Sequence, residues 1–199
     1  AYLMGLNINS LRLSIRNCLK DKNKVFLKNS TIKLSKIIQS KKFNNLILLN
    51  YAPELEKFLF WYQQLIAESL GKKNKGFLPV ISNSPKDHHS LLQLYLDGPK
   101  DKIFYIFSLV KKSNISIYLN KNYGIKSFLN KKNFNQVKNA QKNALIKSLK
   151  YKNIPFREFK IKDFKEETLG ELFSYFIVET IIIGKLIGIN PFDQPAVEQ

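Results

Sequence analysis

The residues from Asn190 to Glu198 form a short polar loop whose side chains could bind a ligand. The loop follows a long apolar segment, contains two prolines, and carries Asp193, Gln194 and Glu198 within six positions. Loops often display binding groups, and an amide such as that of Gln194 can both donate and accept hydrogen bonds. An ordinary helix-capping turn has a similar composition, because Asn-Pro and Asp are standard turn residues. The loop is therefore a candidate site that needs a second signal.

A carboxylate and two imidazoles offer acid–base chemistry elsewhere in the chain. Glu68 lies one helical turn after Gln64 on the polar face of a predicted helix, and its ionised form could remove and return a carbon-bound proton. His88 and His89 are the only histidines, and an unperturbed imidazole titrates near neutral pH. The simpler interpretations are an exposed helix residue for Glu68 and a structural histidine near a helix start. Zinc binding is a weak alternative, because adjacent histidines lack a third spaced ligand, so we predict no metal site.

The elements that must position these residues alternate between short apolar strands and helices. The predicted strands cover 46–50, 77–82, 103–110 and 155–161, the predicted helices cover 10–20, 25–38, 53–70, 87–96, 133–149 and 166–187, and a small edge hairpin is expected at 115–119. This order predicts an α/β fold, a three-layer αβα sandwich with a mainly parallel sheet. Ligands bind such sheets at the carboxyl ends of the strands, where residues 83–89 should lie.

The helix predicted at 53–70 has two distinct faces. Apolar side chains recur with helical spacing and form one stripe, which consists of Leu55, Phe58, Leu59, Tyr62, Leu65 and Ile66. Lys57, Trp61, Gln64 and Glu68 recur with the same spacing on the opposite side. We expect this second face to line a cleft.

Three segments of the chain resemble motifs of the glucose-6-phosphate isomerase family. Residues 190–198 resemble its C-terminal signature, an aromatic-Asp-Gln-x-Gly-Val-Glu run, with Ala196 where the family usually has Gly. Residues 61–72 resemble its Gln-Gln-x-x-x-Glu-Ser-x-Gly-Lys element, which carries the catalytic base. Residues 85–99 resemble its x-x-Asp-Gln-His-Ser-x-x-Gln element, with His88 in place of Gln. The three matches occur in the family's order and are spread over most of the chain.

The resemblance implies a sugar-isomerase (SIS-type) αβα domain of an enzyme that interconverts glucose 6-phosphate and fructose 6-phosphate through a cis-enediol. Glu68 corresponds to the proton-transfer base and His89 to the ring-opening residue, whereas Gln64 and Gln194 would contact the substrate. Asp193 and Glu198 are interpreted as loop-fixing residues and not as catalysts. We expect Glu68, His89 and the loop to form one pocket. The resemblance also implies a homodimer, an active site that is completed across the two subunits, and no cofactor.

The resemblance places other parts of the active site outside this sequence. The family's Gly-Gly-Arg motif would fall just before Ala1, its closing Gly-Lys just after Gln199, and its phosphate-binding loops in another domain. We therefore expect a single SIS-type domain over 1–199, with a helical lead-in at 1–42 and the sheet with its covering helices at 43–199. This domain would be the C-terminal half of a larger enzyme, and the fragment alone is expected to be inactive.

The length and amino-acid composition limit the classes of protein to which the chain can belong. A chain of 199 residues with 44% apolar residues can bury one sizeable core. The single Cys18 excludes an intramolecular disulfide and suits a reducing compartment, so we expect a cytoplasmic protein. The first ten residues lack the pattern of a secretion signal. Charged residues interrupt the apolar helix at 166–187, which favours a buried helix over a membrane span.

The formal charge of +18 would ordinarily point to nucleic acid or an anionic membrane surface. Lysine is spread along almost every polar segment, however, and its densest run at 130–152 is typical of a solvated helix face. We therefore expect a sugar phosphate as the partner, and neither nucleic acid nor membrane. The main alternative is a non-catalytic sugar-phosphate-binding SIS domain, and the second is a basic nucleic-acid-binding domain.

Overall fold

The computed structural model describes residues 5–110 and 132–198, and within them four strands and six α-helices alternate along most of the chain. The strands are β1 (Asn45–Asn50), β2 (Leu78–Asn83), β3 (Lys102–Leu109) and β4 (Phe156–Ile161). The helices are α1 (Ile8–Ile15), α2 (Asp21–Gln39), α3 (Glu56–Leu70), α4 (Lys86–Asp97), α5 (Phe134–Tyr151) and α6 (Glu166–Leu186). Short 3-10 turns, Arg16–Leu19 and Pro53–Leu55, precede α2 and α3. The hairpin predicted at 115–119 lies outside the described residues.

The strands form one parallel sheet in the order β2-β1-β3-β4, and helices cover both of its faces. Both faces are covered because successive apolar residues of a strand point to opposite sides. In β1, Leu46 and Leu48 join a core shared with α2, α3 and α6, whereas Ile47 and Leu49 join a core shared with α4 and α5. This arrangement confirms the predicted three-layer αβα fold with a parallel sheet.

The parallel sheet requires each connecting helix to return the chain to the edge where the strands begin. After β1 ends at Asn50, α3 carries the chain back to the start of β2, where the amide of Leu78 donates to the carbonyl of Asn44 (2.7 Å). After β4, α6 returns in the same way, and the side chain of Gln39 donates to the carbonyl of Leu186 (3.3 Å). The C-terminal ends of α3 and α6 therefore lie at the amino edge of the sheet. The first turn of α4 lies at the carboxyl edge.

A buried ion pair links β4 to α6. Arg157 Nη1 lies 3.0 Å from Oε1 of Glu179, whose side chain is 2% exposed. The carboxylate also accepts hydrogen bonds from the hydroxyls of Ser30 in α2 and Tyr175 in α6, and the guanidinium donates to Tyr105 (2.8 Å) and Tyr175 (2.7 Å). Burial raises the pKa of Tyr105 and Tyr175, so both hydroxyls stay protonated at neutral pH. These bonds compensate for the cost of removing two charges from water.

Helices α1 and α6 approach each other closely at Gly170. A Cβ atom at this position would lie 2.3 Å from the carbonyl oxygen of Leu11 and 2.3 Å from Oγ of Ser14. Because no side chain fits in this space, Gly170 sets the distance at which α1 packs on α6.

Substitution of Gly170 by Ala should lower the free energy of unfolding by about 1–3 kcal/mol, because the added methyl group pushes α1 away from α6. Chemical denaturation followed by circular dichroism measures the change. The matched control is Glu167→Ala at an exposed position of the same helix, which should shift stability by only about 0.5 kcal/mol. Equal stability of Gly170→Ala and the wild type would contradict the close approach.

Candidate active site

Glu68 lines a cavity between the C-terminal ends of α3 and α6. The cavity has a volume of about 280 Å³, and its other polar walls come from Ser69 of α3, Thr180 of α6, and Asp193 and Gln194 of the loop after α6. Its apolar walls are Leu65, Ile177, Ile181, Pro191 and Phe192. A concave site with apolar walls and a few convergent polar groups is typical of small-molecule binding.

Two side-chain amides hold the Glu68 carboxylate, one on each oxygen. Nε2 of Gln64 donates to Oε1 (2.9 Å), and Nε2 of Gln194 donates to Oε2 (3.1 Å). The first bond follows from the one-turn spacing within α3, whereas the second joins residues 126 positions apart. The structure thus brings together three of the residues that the sequence singled out. Hydrogen bonds to both oxygens fix the orientation of the carboxylate, as a proton-transfer base requires.

The face of α3 that is open to a ligand is narrower than the spacing of its polar residues predicts. Trp61, which we expected on the cleft-lining face, instead packs against Phe58 of α3 and Phe173 of α6, with ring centroids 5.4 Å and 4.5 Å apart. The large ring gains more by burial against α6 than by facing water. Gln64 and Glu68 stay exposed, so the face available to a ligand is the last two turns of the helix.

The loop after α6 is tied to the connection between α3 and β2 by two lysines. Nζ of Lys72 donates to the carbonyl of Asn190 (2.8 Å), to Oδ1 of Asp193 (2.8 Å) and to the carbonyl of Asp193. Nζ of Lys75 donates to the carbonyl of Ile187 (2.6 Å). The hydrogen bond from Lys72 keeps the pKa of Asp193 below its ordinary value. These contacts agree with the interpretation of Asp193 as a loop-fixing residue.

Thr180 is a candidate binding residue that sequence reasoning missed. Its side chain lines the same cavity and is 1% exposed, and its hydroxyl has no hydrogen-bond partner among the described residues. A buried hydroxyl without a partner is costly, and an oxygen atom of a ligand would satisfy it. The one signal in the sequence is a polar residue beside Glu179 within an otherwise apolar helix.

The two histidines lie at the other edge of the sheet, in different environments. Nε2 of His88 is 2.6 Å from the hydroxyl oxygen of Tyr51, and the two rings meet edge to face. Burial lowers the pKa of His88, and the nearby Asp87 offsets part of this effect. His89 is exposed. The residue expected to open the sugar ring is therefore the one that a second molecule can reach.

Glu68 and His89 do not share a pocket within one chain. Glu68 lies near the end of α3 at the amino edge of the sheet, and His89 lies in the first turn of α4 at the carboxyl edge. Strand β1 has six residues, so the two edges are about 20 Å apart. An active site completed across a dimer stays a prediction, and within one chain His89 lies outside the pocket formed by Glu68 and the loop. The cause is the parallel topology, because α3 carries Glu68 away from the edge at which α4 begins.

Two classes of site find no support in the part of the chain that the structure covers. Across 5–110 and 132–198, no three side chains of His, Cys, Asp or Glu are arranged to hold a metal ion. Among the helices of these same ranges, none has the length and apolar character that a membrane crossing needs.

Substitution of His88 by Gln should weaken the pH dependence of stability between pH 7 and pH 5. The pKa of His88 is lower in the folded protein than its ordinary 6.5, so the unfolded chain binds more protons as the pH falls through this value. The free energy of unfolding of the wild type should therefore decrease over this window. Gln does not titrate, so the variant should lose part of that decrease.

Denaturation curves over a series of pH values measure the effect of His88→Gln. The matched control is His89→Gln, which removes an imidazole from the surface. Parallel pH profiles for the wild type and His88→Gln would contradict the partly buried environment of His88.

Curated relatives that match the chain carry one enzyme name. The chain is 40% identical over 152 residues to a probable glucose-6-phosphate isomerase of Methanococcus maripaludis, a match that covers 76% of the chain and 34% of the relative. It is 28% identical over 206 residues to the glucose-6-phosphate isomerase of Rubrobacter xylanophilus, which covers 100% of the chain and 47% of the relative. The chain thus spans about a third to a half of the length of these relatives. No protein-family model matches it.

The fold also occurs in a solved structure. The crystal structure of a hypothetical protein from Thermus thermophilus matches with a TM-score of 0.84 at 23% identity, over 98% of this chain and 48% of that one. This likeness concerns the fold alone, whereas the sequence matches and the three motifs concern descent. Taken together with the arrangement of Gln64, Glu68 and Gln194, the sequence matches show that the chain belongs to the glucose-6-phosphate isomerase family.

Proposed function

We propose that the protein that carries this chain interconverts glucose 6-phosphate and fructose 6-phosphate, with Glu68 as the base. The observation that carries the proposal is the Glu68 carboxylate, which the amides of Gln64 and Gln194 hold at a cavity of about 280 Å³. The shared name of the relatives supports the same reaction. The substrate is a sugar phosphate, and the reaction needs no cofactor.

The reaction moves one proton between two adjacent carbons of an open-chain sugar phosphate. The ionised Glu68 removes the proton from the carbon next to the carbonyl group, which leaves a cis-enediol, and returns it to the neighbouring carbon. A second proton moves between the two oxygens, so that the carbonyl group changes place. The hydroxyl of Thr180 and the side-chain carbonyl oxygens of Gln64 and Gln194 are available for hydrogen bonds to the substrate hydroxyls.

Ring opening precedes this step, because sugar phosphates in solution are mostly closed rings. An imidazole can move a proton between the ring oxygen and the adjacent hydroxyl, since its pKa lies near neutrality. We assign this step to His89 of a second copy of the chain, because the two edges of one sheet lie too far apart. The exposure of His89 supports this arrangement. The apolar rim of the Glu68 cavity also supports it, because Ile177 is 40% and Phe192 73% exposed.

Substitution of Glu68 by Gln in the protein encoded by the complete gene should lower kcat by about 10²- to 10⁴-fold, because an amide cannot accept the carbon-bound proton. KM should change little, since the side chain keeps its size. A coupled assay that detects glucose 6-phosphate formed from fructose 6-phosphate measures both constants. The matched control is the exposed Glu54→Gln, which should keep wild-type turnover. A non-catalytic sugar-phosphate-binding domain would show no turnover in any of the three proteins.

Mixed dimers test whether Glu68 and His89 act across two copies of the chain. Dimers of Glu68→Gln and dimers of His89→Gln should each be nearly inactive, because every site lacks one residue. In a mixed dimer, one site carries both changes and the other carries neither. Random reassociation makes about half of the dimers mixed, so activity should recover to about one quarter of the wild type. Activity no higher than the average of the separate variants would contradict the shared site.

A further inference from the structure

We propose that Lys72 is a positioning residue of the Glu68 site, and that it holds the loop after α6 where Gln194 can donate to the Glu68 carboxylate. The inference rests on the proposed function, since it assigns a role in the same reaction. Lys72 ends the segment at 61–72 that resembles a family motif, but its place there did not indicate what it does.

The ammonium group of Lys72 is nearly enclosed and fully used. The side chain is 9% exposed. An ammonium has three donors, and the structure provides three acceptors, which are the carbonyl of Asn190, the carbonyl of Asp193 and Oδ1 of Asp193. All three belong to one stretch of four residues. Lys72 therefore fixes this stretch through three hydrogen bonds and is not a general surface charge.

The loop has few other hydrogen bonds to the rest of the protein. Phe192 donates to the side chain of Asn190, which is a bond within the loop itself. Among the described residues, the hydrogen bonds that tie 190–194 to other elements are those of Lys72 and the bond from Gln194 to Glu68. Without Lys72, the Gln194 bond would be the remaining hydrogen bond, among the described residues, between 190–194 and another element.

Glu68 and Lys72 lie close together at the C-terminal end of α3. Lys72 follows Glu68 by four positions, and α3 ends between them at Leu70. At the next residue, Gly71, a Cβ atom would lie 2.5 Å from the carbonyl oxygen of Ala67. Asp193 directly precedes Gln194, so a bond that fixes Asp193 also limits where the amide of Gln194 can lie. Lys72 thereby fixes Gln194 relative to Glu68. A displacement of about 1 Å in a positioning group can cost on the order of 10²-fold in rate.

The kinetic test replaces Lys72 by Met, which keeps the length and apolar stem of the side chain and removes the ammonium. We expect kcat to fall by about 10- to 100-fold while KM changes much less, because the base remains but loses its fixed orientation. The matched control is Lys73→Met, which removes the exposed neighbouring lysine and should keep wild-type kinetics. Wild-type kcat in Lys72→Met would overturn the proposal.

A double variant separates positioning from a general loss of structure. If Lys72 acts through Gln194, then Lys72→Met combined with Gln194→Ala should have the same kcat as Gln194→Ala alone. Losses that multiply would show that Lys72 acts independently of Gln194, and would overturn the proposal.

Amide hydrogen exchange provides a measurement that does not depend on activity. In Lys72→Met, exchange should rise at the loop amides that donate hydrogen bonds, which are those of Phe192, Val197 and Glu198, while α3 and the sheet keep their protection. Unchanged exchange at these amides would overturn the proposal that Lys72 holds the loop. The proposed function is tested separately, because its failure appears as absent turnover in the wild type, whereas failure of this inference appears as wild-type kinetics or exchange in Lys72→Met.

Discussion

The ion pair between Arg157 and Glu179 is the interaction on which the position of α6 depends. The guanidinium lies 4.8 Å from the ring centroids of both Tyr105 and Phe159, so it is packed between aromatic faces as well as paired. Removing one partner of such a buried pair typically costs about 3–5 kcal/mol, because the other charge is left without compensation. One set of bonds therefore joins α6 to α2, β3 and β4 at a single place.

The geometry of the Glu68 site depends on the ion pair between Arg157 and Glu179, because that pair fixes the position of α6. Glu179 faces the buried bonds, and the next residue, Thr180, faces the cavity of Glu68. Further along α6, Gly184 lets the returning chain approach closely, since a Cβ atom there would lie 3.3 Å from the carbonyl of Ile189. The loop that carries Gln194 starts from this point. A shift of α6 would thus also change the contacts between Gln194 and Glu68, the candidate base.

Local patterns in the sequence were enough to predict the elements and one contact of the site. The apolar run of β1 and the helical spacing of Gln64 and Glu68 each reflect forces between near neighbours, so both could be read without a structure. The α/β order then led to the three layers. Adjacent residues on a helix differ by about 100° in direction, so His88 and His89 could not both face inward. The resemblance assigned the ring-opening role to His89, but neither the resemblance nor the spacing indicated that His88 packs inward against Tyr51.

The remaining features depend on contacts between distant segments, and no local pattern encodes them. Trp61 belongs by spacing to the polar face of α3, but the ring of Phe173 on α6 covers it. The partners of Glu179 and the bonds of Lys72 arise in the same way from the crossing of helices. The separation of Glu68 from His89 follows from the direction of the strands. The prediction of a parallel sheet already implied this direction, but the sheet edge at which each helix end lies still has to be worked out helix by helix.

The bond between Gln194 and Glu68 has a consequence for how the protein folds, because it closes a loop of 126 residues. Closing a long loop costs entropy that must be recovered by contacts formed beforehand. The ends of α3 and α6 have to be brought together before this bond can form, so the pocket depends on the tertiary fold and not on either helix alone. Any motion that separates the loop after α6 from the end of α3 therefore removes a hydrogen bond from the candidate base, even where the rest of the fold is intact.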